Sequence, residues 1–338
     1  MTRTSVVISQ GQSKNPVKRK LEEDIVAALN DHPEIDVIVV PHLYDITGDS
    51  EGMMAIKQIS GHMIVCSWLF ERPLHWVLDR NGIQGHTGTV LLTADDVDDD
   101  EDEEEDQKDE TEEEKETVIQ SRSIPDRNIY CLDLKASTKA REFAEEIQRI
   151  HDETNVNHVT LNDVLAAGAV PATSSGDTQR FEAGGGRRWY PVIDYSRCTN
   201  CMECIDFCLF GVYGVDRIDT ILVEQPDNCR KGCPACSRVC PENAIMFPQH
   251  KTPAIAGSND AAASLKIDLS QLFGAPTDDK SAIDVAAAER DEQLKLAGRE
   301  AVGLSVGIAK RQSSDRPGKQ KPKDELDALV DQLDELDL

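Results

Sequence analysis

Eight of the ten cysteines fall into two short runs. These runs are Cys198-x2-Cys201-x2-Cys204-x3-Cys208 and Cys229-x3-Cys233-x2-Cys236-x3-Cys240, the second followed directly by Pro241. A tetrahedral zinc site usually takes two thiols from one tight turn and two from another, distant one. Three closely spaced thiols with a fourth four residues later are instead typical of a loop that wraps a cuboidal [4Fe–4S] cluster.

The same spacing predicts how the two runs share their ligands. In proteins with two such clusters, the fourth cysteine of each run ligates the other cluster. Cluster I is therefore predicted to take Cys198, Cys201, Cys204 and Cys240. Cluster II is predicted to take Cys229, Cys233, Cys236 and Cys208. Two zinc sites, or one surviving cluster, are the alternatives.

Residues 187–250 resemble the bacterial-type two-[4Fe–4S] ferredoxins, and Cys240-Pro-Glu-Asn-Ala-Ile245 is similar to the end of that family's second motif. Two departures stand out. Leu209 replaces the proline that usually follows the first motif, and Cys229-x3-Cys233 has one residue more than the usual x2. Gly232 is predicted to absorb that residue in a left-handed conformation. The resemblance implies an α+β domain that transfers single electrons.

The first 155 residues predict a separate α/β domain. Short apolar runs at 5–9, 36–41, 62–67 and 128–134 read as buried strands, and helix-like periods lie between them. This alternation predicts a doubly wound parallel sheet of flavodoxin-like or chelatase-like type. Thr89–Thr93 is a candidate additional strand. Cys66 and Cys131 fall in predicted strands and are interpreted as ordinary core thiols.

The order of these elements, with Ile38-Val-Val-Pro-His-Leu-Tyr44 on and after the second strand, resembles the CbiX-type tetrapyrrole chelatases. That family begins with a Gly-His-Gly-Ser-like turn, whereas the matching stretch here is Gln10-Gly-Gln-Ser13, without the metal-binding histidine. The loop is also neither GxGxxG nor a Walker loop.

Other candidate residues of this domain are scattered. His42, His62, His75 and His86 are weighed as ligands or acid–base groups against simple packing at strand ends. Glu71 and Arg72 follow a strand at the position where α/β sheets often bind ligands, with a surface ion pair as the alternative.

The remaining segments read as largely solvated. Asp95–Glu116 contains seventeen acidic residues and two lysines, which predicts a disordered acidic insertion at about 95–118 rather than a metal-buffering or partner-docking element. Residues 156–186 are predicted to be a linker and residues 251–338 a largely disordered tail with short helices. Thr160–Gly168 could form one short helix. Leucines at 326, 329, 333 and 336 predict another, which either docks a partner or folds back.

The net charge of −27 argues against a nucleic-acid partner and favours redox proteins with basic docking surfaces. No membrane span or signal peptide is evident, and clustered cysteines suit a reducing compartment, so a cytoplasmic protein is expected.

Three functions compete. The first is a non-catalytic electron carrier, with the α/β domain as a docking or oligomerisation platform. The second is an enzyme or enzyme subunit whose N-terminal domain binds a substrate or cofactor, with the ferredoxin module as its electron wire. The third is a scaffold or redox sensor. The absence of a flavin, nucleotide or catalytic motif favours the carrier, and the predicted linker is consistent with a tethered one.

Overall fold

The computed structural model describes residues 3–93, 116–156, 178–182, 185–258 and 282–305. Residues 95–115 of the acidic insertion, the Thr160–Gly168 helix and the leucine repeat at 326–336 lie outside these ranges, as do most of the predicted linker and much of the predicted tail. Val118, at the predicted end of the insertion, is buried, and its N–H donates to the Cys198 carbonyl at 2.9 Å. Within the described ranges, no helix has the length and apolar character needed to cross a membrane.

The first domain alternates strands and helices as the sequence predicts. Its elements are β1 (Thr4–Ser9), α1 (Pro16–Leu29), β2 (Ile35–Val40), α2 (Glu51–Lys57), β3 (Met63–Ser67), α3 (Glu71–Arg80), β4 (His86–Thr87), β5 (Asn128–Asp133) and α4 (Ala140–Val156). The strands form one sheet in the order β4-β5-β3-β1-β2, extended beyond β2 by β6 (Gln179–Arg180), and every pairing is parallel.

Helices cover both faces of this sheet, which confirms a parallel α/β architecture. Val6 and Ile8 of β1 face a core that contains the apolar sides of α1 and α4. Val7, between them, faces the opposite core beneath α2 and α3. This alternation is the period-two pattern of a strand that is buried on both faces. Cys66 and Cys131 are buried in the two cores, as predicted for core thiols.

Two local expectations differ from the structure. The extra strand is His86–Thr87 rather than Thr89–Thr93. Val90 and Leu92 of the predicted run pack against the core without joining the ladder. The second difference is β6, which lies within the predicted linker and pairs with Ile38 and Val39 of β2. Two polar residues carry no strand periodicity, so sequence patterning could not find this edge.

The cysteine-rich module is built from very short elements. They are β7 (Val192–Ile193), α5 (Glu203–Phe207), β8 (Tyr213–Val215), β9 (Ile221–Val223), α6 (Ala235–Val239), β10 (Ile245–Met246) and α7 (Pro253–Ala256). β7 pairs with β10 and β8 pairs with β9, both antiparallel. A further helix, α8 (Ala282–Leu296), follows in the predicted tail and packs against α6.

Aromatic and apolar contacts join the module to the first domain. Tyr44 and Tyr190 stack with ring centroids 4.2 Å apart, and the Tyr190 hydroxyl donates to the Tyr44 carbonyl at 2.9 Å. Tyr190, Val192 and Met246 belong to the same core as α2 and α3. The module is therefore docked on this face of the α/β domain, whereas the predicted linker had suggested a loosely tethered carrier.

Polar contacts reinforce this docking at two points. Asp45 accepts hydrogen bonds from the Arg188 backbone N–H at 3.0 Å and from the Gln249 side chain at 3.1 Å. Arg72 donates to the Asp194 carboxylate at 2.6 Å and to the Asn243 carbonyl at 2.5 Å. Asp194 lies four residues before Cys198, so this contact anchors the entrance to the first cysteine run.

Candidate metal centres

Two five-residue helices divide each cysteine run between two places. Cys204 lies within α5 and Cys208 caps its C-terminus. In the same way, Cys236 lies within α6 and Cys240 caps its end. Each helix advances the chain by about 1.5 Å per residue, so the fourth thiol of each run is carried away from the loop that holds the first three.

The first cavity collects one set of four thiols. Its empty volume is about 370 Å³, a value that includes solvent at its mouth. The cysteines that line it are Cys198, Cys201, Cys204 and Cys240. Ile193, Ile221 and Ile245 close the cavity with apolar surface. The thiol from the second run therefore joins three thiols from the first.

The second cavity collects the other four thiols. Its space is about 310 Å³, again including solvent at the mouth. The cysteines that line it are Cys208, Cys229, Cys233 and Cys236. Phe207, Phe210 and Tyr213 contribute aromatic walls. The first cavity thus collects the four cysteines predicted for cluster I, and the second cavity collects the four predicted for cluster II.

The donor set fits a cluster better than a single ion. Among the described residues, no three His, Cys, Asp or Glu side chains converge closely enough to hold one metal ion. A cuboidal cluster takes one thiolate at each of four irons, so its ligands surround a body and need not meet at a point. Each cavity has four thiols in its wall, the number that one such cluster would require.

Burial favours the neutral form of several of these thiols. It raises the pKa of Cys198 and of Cys233 to about 11 each, and it raises the pKa of Cys204 and Cys236 as well. Metal ligands must be deprotonated thiolates, so loading of either cavity is expected to release protons.

Backbone amides are directed at the two exchanged thiols. Burial raises the pKa of Cys208, and N–H groups of Phe210, Val212 and Gly211 oppose that rise by donating to its sulfur. The Ala244 N–H donates to Cys240 Sγ at 3.3 Å. Hydrogen bonds to cluster sulfurs influence the reduction potential, so these amides would affect the potential of a cluster bound here.

Tyr213 adds a side-chain donor to the second cavity. Its hydroxyl lies 3.1 Å from Cys236 Sγ, and its ring is buried. The structure also confirms the prediction for the three-residue spacer before Cys233, because Gly232 has φ +87°. This left-handed conformation, which glycine adopts without a steric penalty, takes up the added residue.

The predicted candidates of the first domain do not assemble into a site. His62 Nδ1 accepts from the Asn128 backbone N–H at 2.9 Å, and His75 packs edge-on against Trp76. His42 is buried, and desolvation lowers its pKa to about 4. Arg72 does not form the expected surface pair but is buried against Asp194 of the module.

The usual ligand position of a doubly wound sheet is closed here by the protein itself. Ligands bind outside the carboxyl ends of the strands where the strand order reverses, which is between β1 and β3. Trp68 covers Gly11 so closely that a Cβ there would lie 3.1 Å from the indole. The buried Glu22 carboxylate accepts from the Gly11 N–H and from the Trp68 Nε1–H, each at 2.8 Å.

Sequence reasoning missed one charged residue at the second cavity. Arg290 of α8 lines the cavity with the four cysteines, although it lies fifty positions beyond Cys240. Its side chain is 1% exposed. The signal that could have revealed it is an arginine inside an alanine-rich helix, but the sequence shows no partner for that helix.

Comparison with known proteins gives one partial match. A protein of Methanocaldococcus jannaschii named an uncharacterized ferredoxin is 50% identical over 66 residues, which are 19% of this chain and 44% of that protein. The chain therefore spans less than half the length of this relative. No protein-family profile matches the chain, and no solved structure matches it. The similarity to CbiX-type chelatases gains no support from these comparisons.

Proposed function

We propose that this protein is an iron–sulfur electron-transfer protein that holds two [4Fe–4S] clusters in crossed ligation. The observation that carries the proposal is the division of eight cysteines between two cavities, with one thiol of each run in the other run's cavity. The partial similarity to a protein named a ferredoxin supports the same chemistry. A bound cluster would supply a centre that accepts and releases single electrons.

The chain's own residues would hold, shield and connect these centres. The thiolates ligate, the backbone N–H groups and the Tyr213 hydroxyl donate to sulfur, and the isoleucines and aromatic rings exclude water. The α/β domain serves as the platform on which the module is docked. It supplies Arg72 to the segment before Cys198.

Partners are proposed from charge. A net charge of −27 attracts basic surfaces over several ångströms and raises the rate of encounter at low ionic strength. Redox proteins with basic docking surfaces are therefore the proposed electron donors and acceptors. The cytoplasm is the proposed location, because a reducing compartment preserves the thiols.

Anaerobic purification tests the cofactor directly. We expect about eight irons and a matching amount of acid-labile sulfide per chain, as two [4Fe–4S] clusters require, with an EPR signal that develops on reduction. A Cys66→Ala/Cys131→Ala variant is the matched control and should retain the full iron content. Stoichiometric zinc without sulfide would contradict the proposal.

The second candidate function is an enzyme in which the ferredoxin module acts as an electron wire, delivering electrons to a bound substrate. A cleft between the two domains favours it. Arg80 and Ser123 of the first domain face Thr220 and Tyr195 of the module across this cleft. Its walls include Ile193 and Ile221, which also line the first cavity. Arg80 lines the cleft beside Asp79 and Asp216, and its Nε has no hydrogen-bond partner among the described residues, so the Arg80 guanidinium is the group through which the cleft would hold a small anion.

Steady reoxidation of the reduced protein separates the two candidates. If the cleft is a binding site, the rate should saturate with the concentration of a small anionic acceptor such as anthraquinone-2-sulfonate. Arg80→Gln should then raise the acceptor concentration that gives half the maximal rate about tenfold, as expected for loss of a charge-assisted hydrogen bond. A linear dependence that is the same in both proteins would argue against the wire and for the carrier.

A further inference from the structure

The helix α8 covers the second cavity from outside the cysteine-rich module. Ala286 packs in one apolar cluster with Phe207, Cys233, Ala235 and Val239. At the helix surface, Arg238 of α6 pairs with Glu289 at 3.0 Å. Beyond the end of α8, Arg299 donates to the carbonyl of Leu209 at 2.7 Å, which is the residue after Cys208. The helix is thus held over this cavity by contacts along its length and just beyond its C-terminus.

Arg290 is the residue that α8 directs inward. It is the largest fully buried side chain among the described residues. Its guanidinium lies over the Phe207 ring, 4.5 Å from the ring centroid. Nη2 donates to the Gly303 carbonyl at 2.6 Å and Nε donates to the Asp291 carboxylate at 3.2 Å. These contacts hold a cation in the wall of the cavity.

We propose that Arg290 is a cluster-tuning residue, by which the C-terminal helix sets the reduction potential of cluster II above that of the same site without it. This inference rests on the proposed function, because it assumes a cluster in the second cavity. It concerns only cluster II, since Arg290 is absent from the wall of the first cavity.

The direction of the effect follows from charge. Reduction adds one electron to a centre that its four thiolates have already made anionic. A neighbouring cation stabilises the reduced form more than the oxidised form, so it raises the potential, and burial strengthens the interaction because water does not screen it. Asp291 offsets part of this charge, but it is absent from the cavity wall.

An EPR-monitored redox titration of the intact, cluster-loaded protein tests the inference. In Arg290→Gln, one of the two clusters should be reduced to a lesser extent at a given applied potential. The expected change in its reduced-to-oxidised ratio is about tenfold, which corresponds to about 59 mV for one electron. Arg290→Lys keeps the charge and should recover most of this loss. Asp291→Asn should shift the same cluster in the opposite direction.

Lys295→Gln is the matched control, because it removes one positive charge from an exposed residue of the same helix that lines neither cavity, and it should leave both potentials unchanged. Unchanged potentials in a fully loaded Arg290→Gln protein would overturn the inference. If that variant instead loses about four irons, the content of one cluster, Arg290→Lys decides. If Arg290→Lys retains its iron, the positive charge at this position is what the cluster needs. If Arg290→Lys loses as much iron as Arg290→Gln, the Arg290 side chain only fills space. Failure of the wild type to contain iron and sulfide would refute the proposed function instead.

Discussion

Removal of Cys240 is expected to abolish the same cluster as removal of Cys198, although the two residues are 42 positions apart. Both thiols line the first cavity, and each would supply one corner of cluster I. Cys198→Ala and Cys240→Ala should therefore each retain the iron of cluster II alone, about four per chain. Cys208→Ala should resemble Cys229→Ala for the corresponding reason at the second cavity.

Double variants distinguish crossed ligation from ligation of each cluster by a single cysteine run. Cys198→Ala/Cys240→Ala damages one cluster twice, so its iron content should equal that of either single variant. Cys198→Ala/Cys208→Ala changes two residues of one sequence run but damages both clusters, so its iron content should fall well below. The reverse ranking would show that each run ligates its own cluster, in conflict with the arrangement of the cavities.

Arg72→Met is expected to lower the free energy of unfolding by about 1.5–3 kcal/mol, the cost of losing a hydrogen bond to a charged group, because Asp194 loses its nearest cation but keeps Arg197 at 3.6 Å. The side chains of Arg72 and Asp194 are 8% and 2% exposed. Asp194 also accepts from the Ser196 backbone N–H at 2.9 Å, and its carbonyl accepts from the Cys198 N–H at 3.0 Å. The loss should therefore disturb the loop of cluster I as well.

Denaturant unfolding of the cluster-loaded protein measures this effect, with the visible absorption followed beside the far-UV circular dichroism. Arg180→Met is the matched control, because its pair with Glu23 is about half exposed and such pairs contribute at most about 1 kcal/mol. Equal stability of the two variants would mean that the buried pair does not hold the module on the α/β domain.

The candidate centres were largely predictable from sequence because cysteine spacing encodes local geometry. A loop with three thiols and a short helix to a fourth requires no knowledge of distant residues. The α/β sheet was predictable for a similar reason, since Val6, Val7 and Ile8 form an uninterrupted apolar strand. Both signals are contained within a few consecutive residues.

The remaining features depend on contacts that leave no local pattern. Nothing near Tyr44 or Arg72 in the sequence indicates that they contact Tyr190 and Asp194, more than a hundred residues away. β6 is two polar residues long, and α8 is rich in alanine, so neither shows the periodicity that identifies a buried element. The role of Arg290 depends on which surface α8 covers, and only the tertiary structure supplies that information.

Coulometric reduction of the anaerobically purified protein tests the proposal of two one-electron centres most directly. We predict an uptake of two electrons per chain, one for each [4Fe–4S] cluster, with loss of the visible absorption of the oxidised clusters. Uptake of no electrons, or of a single electron by a protein that contains its full complement of iron and sulfide, would contradict it.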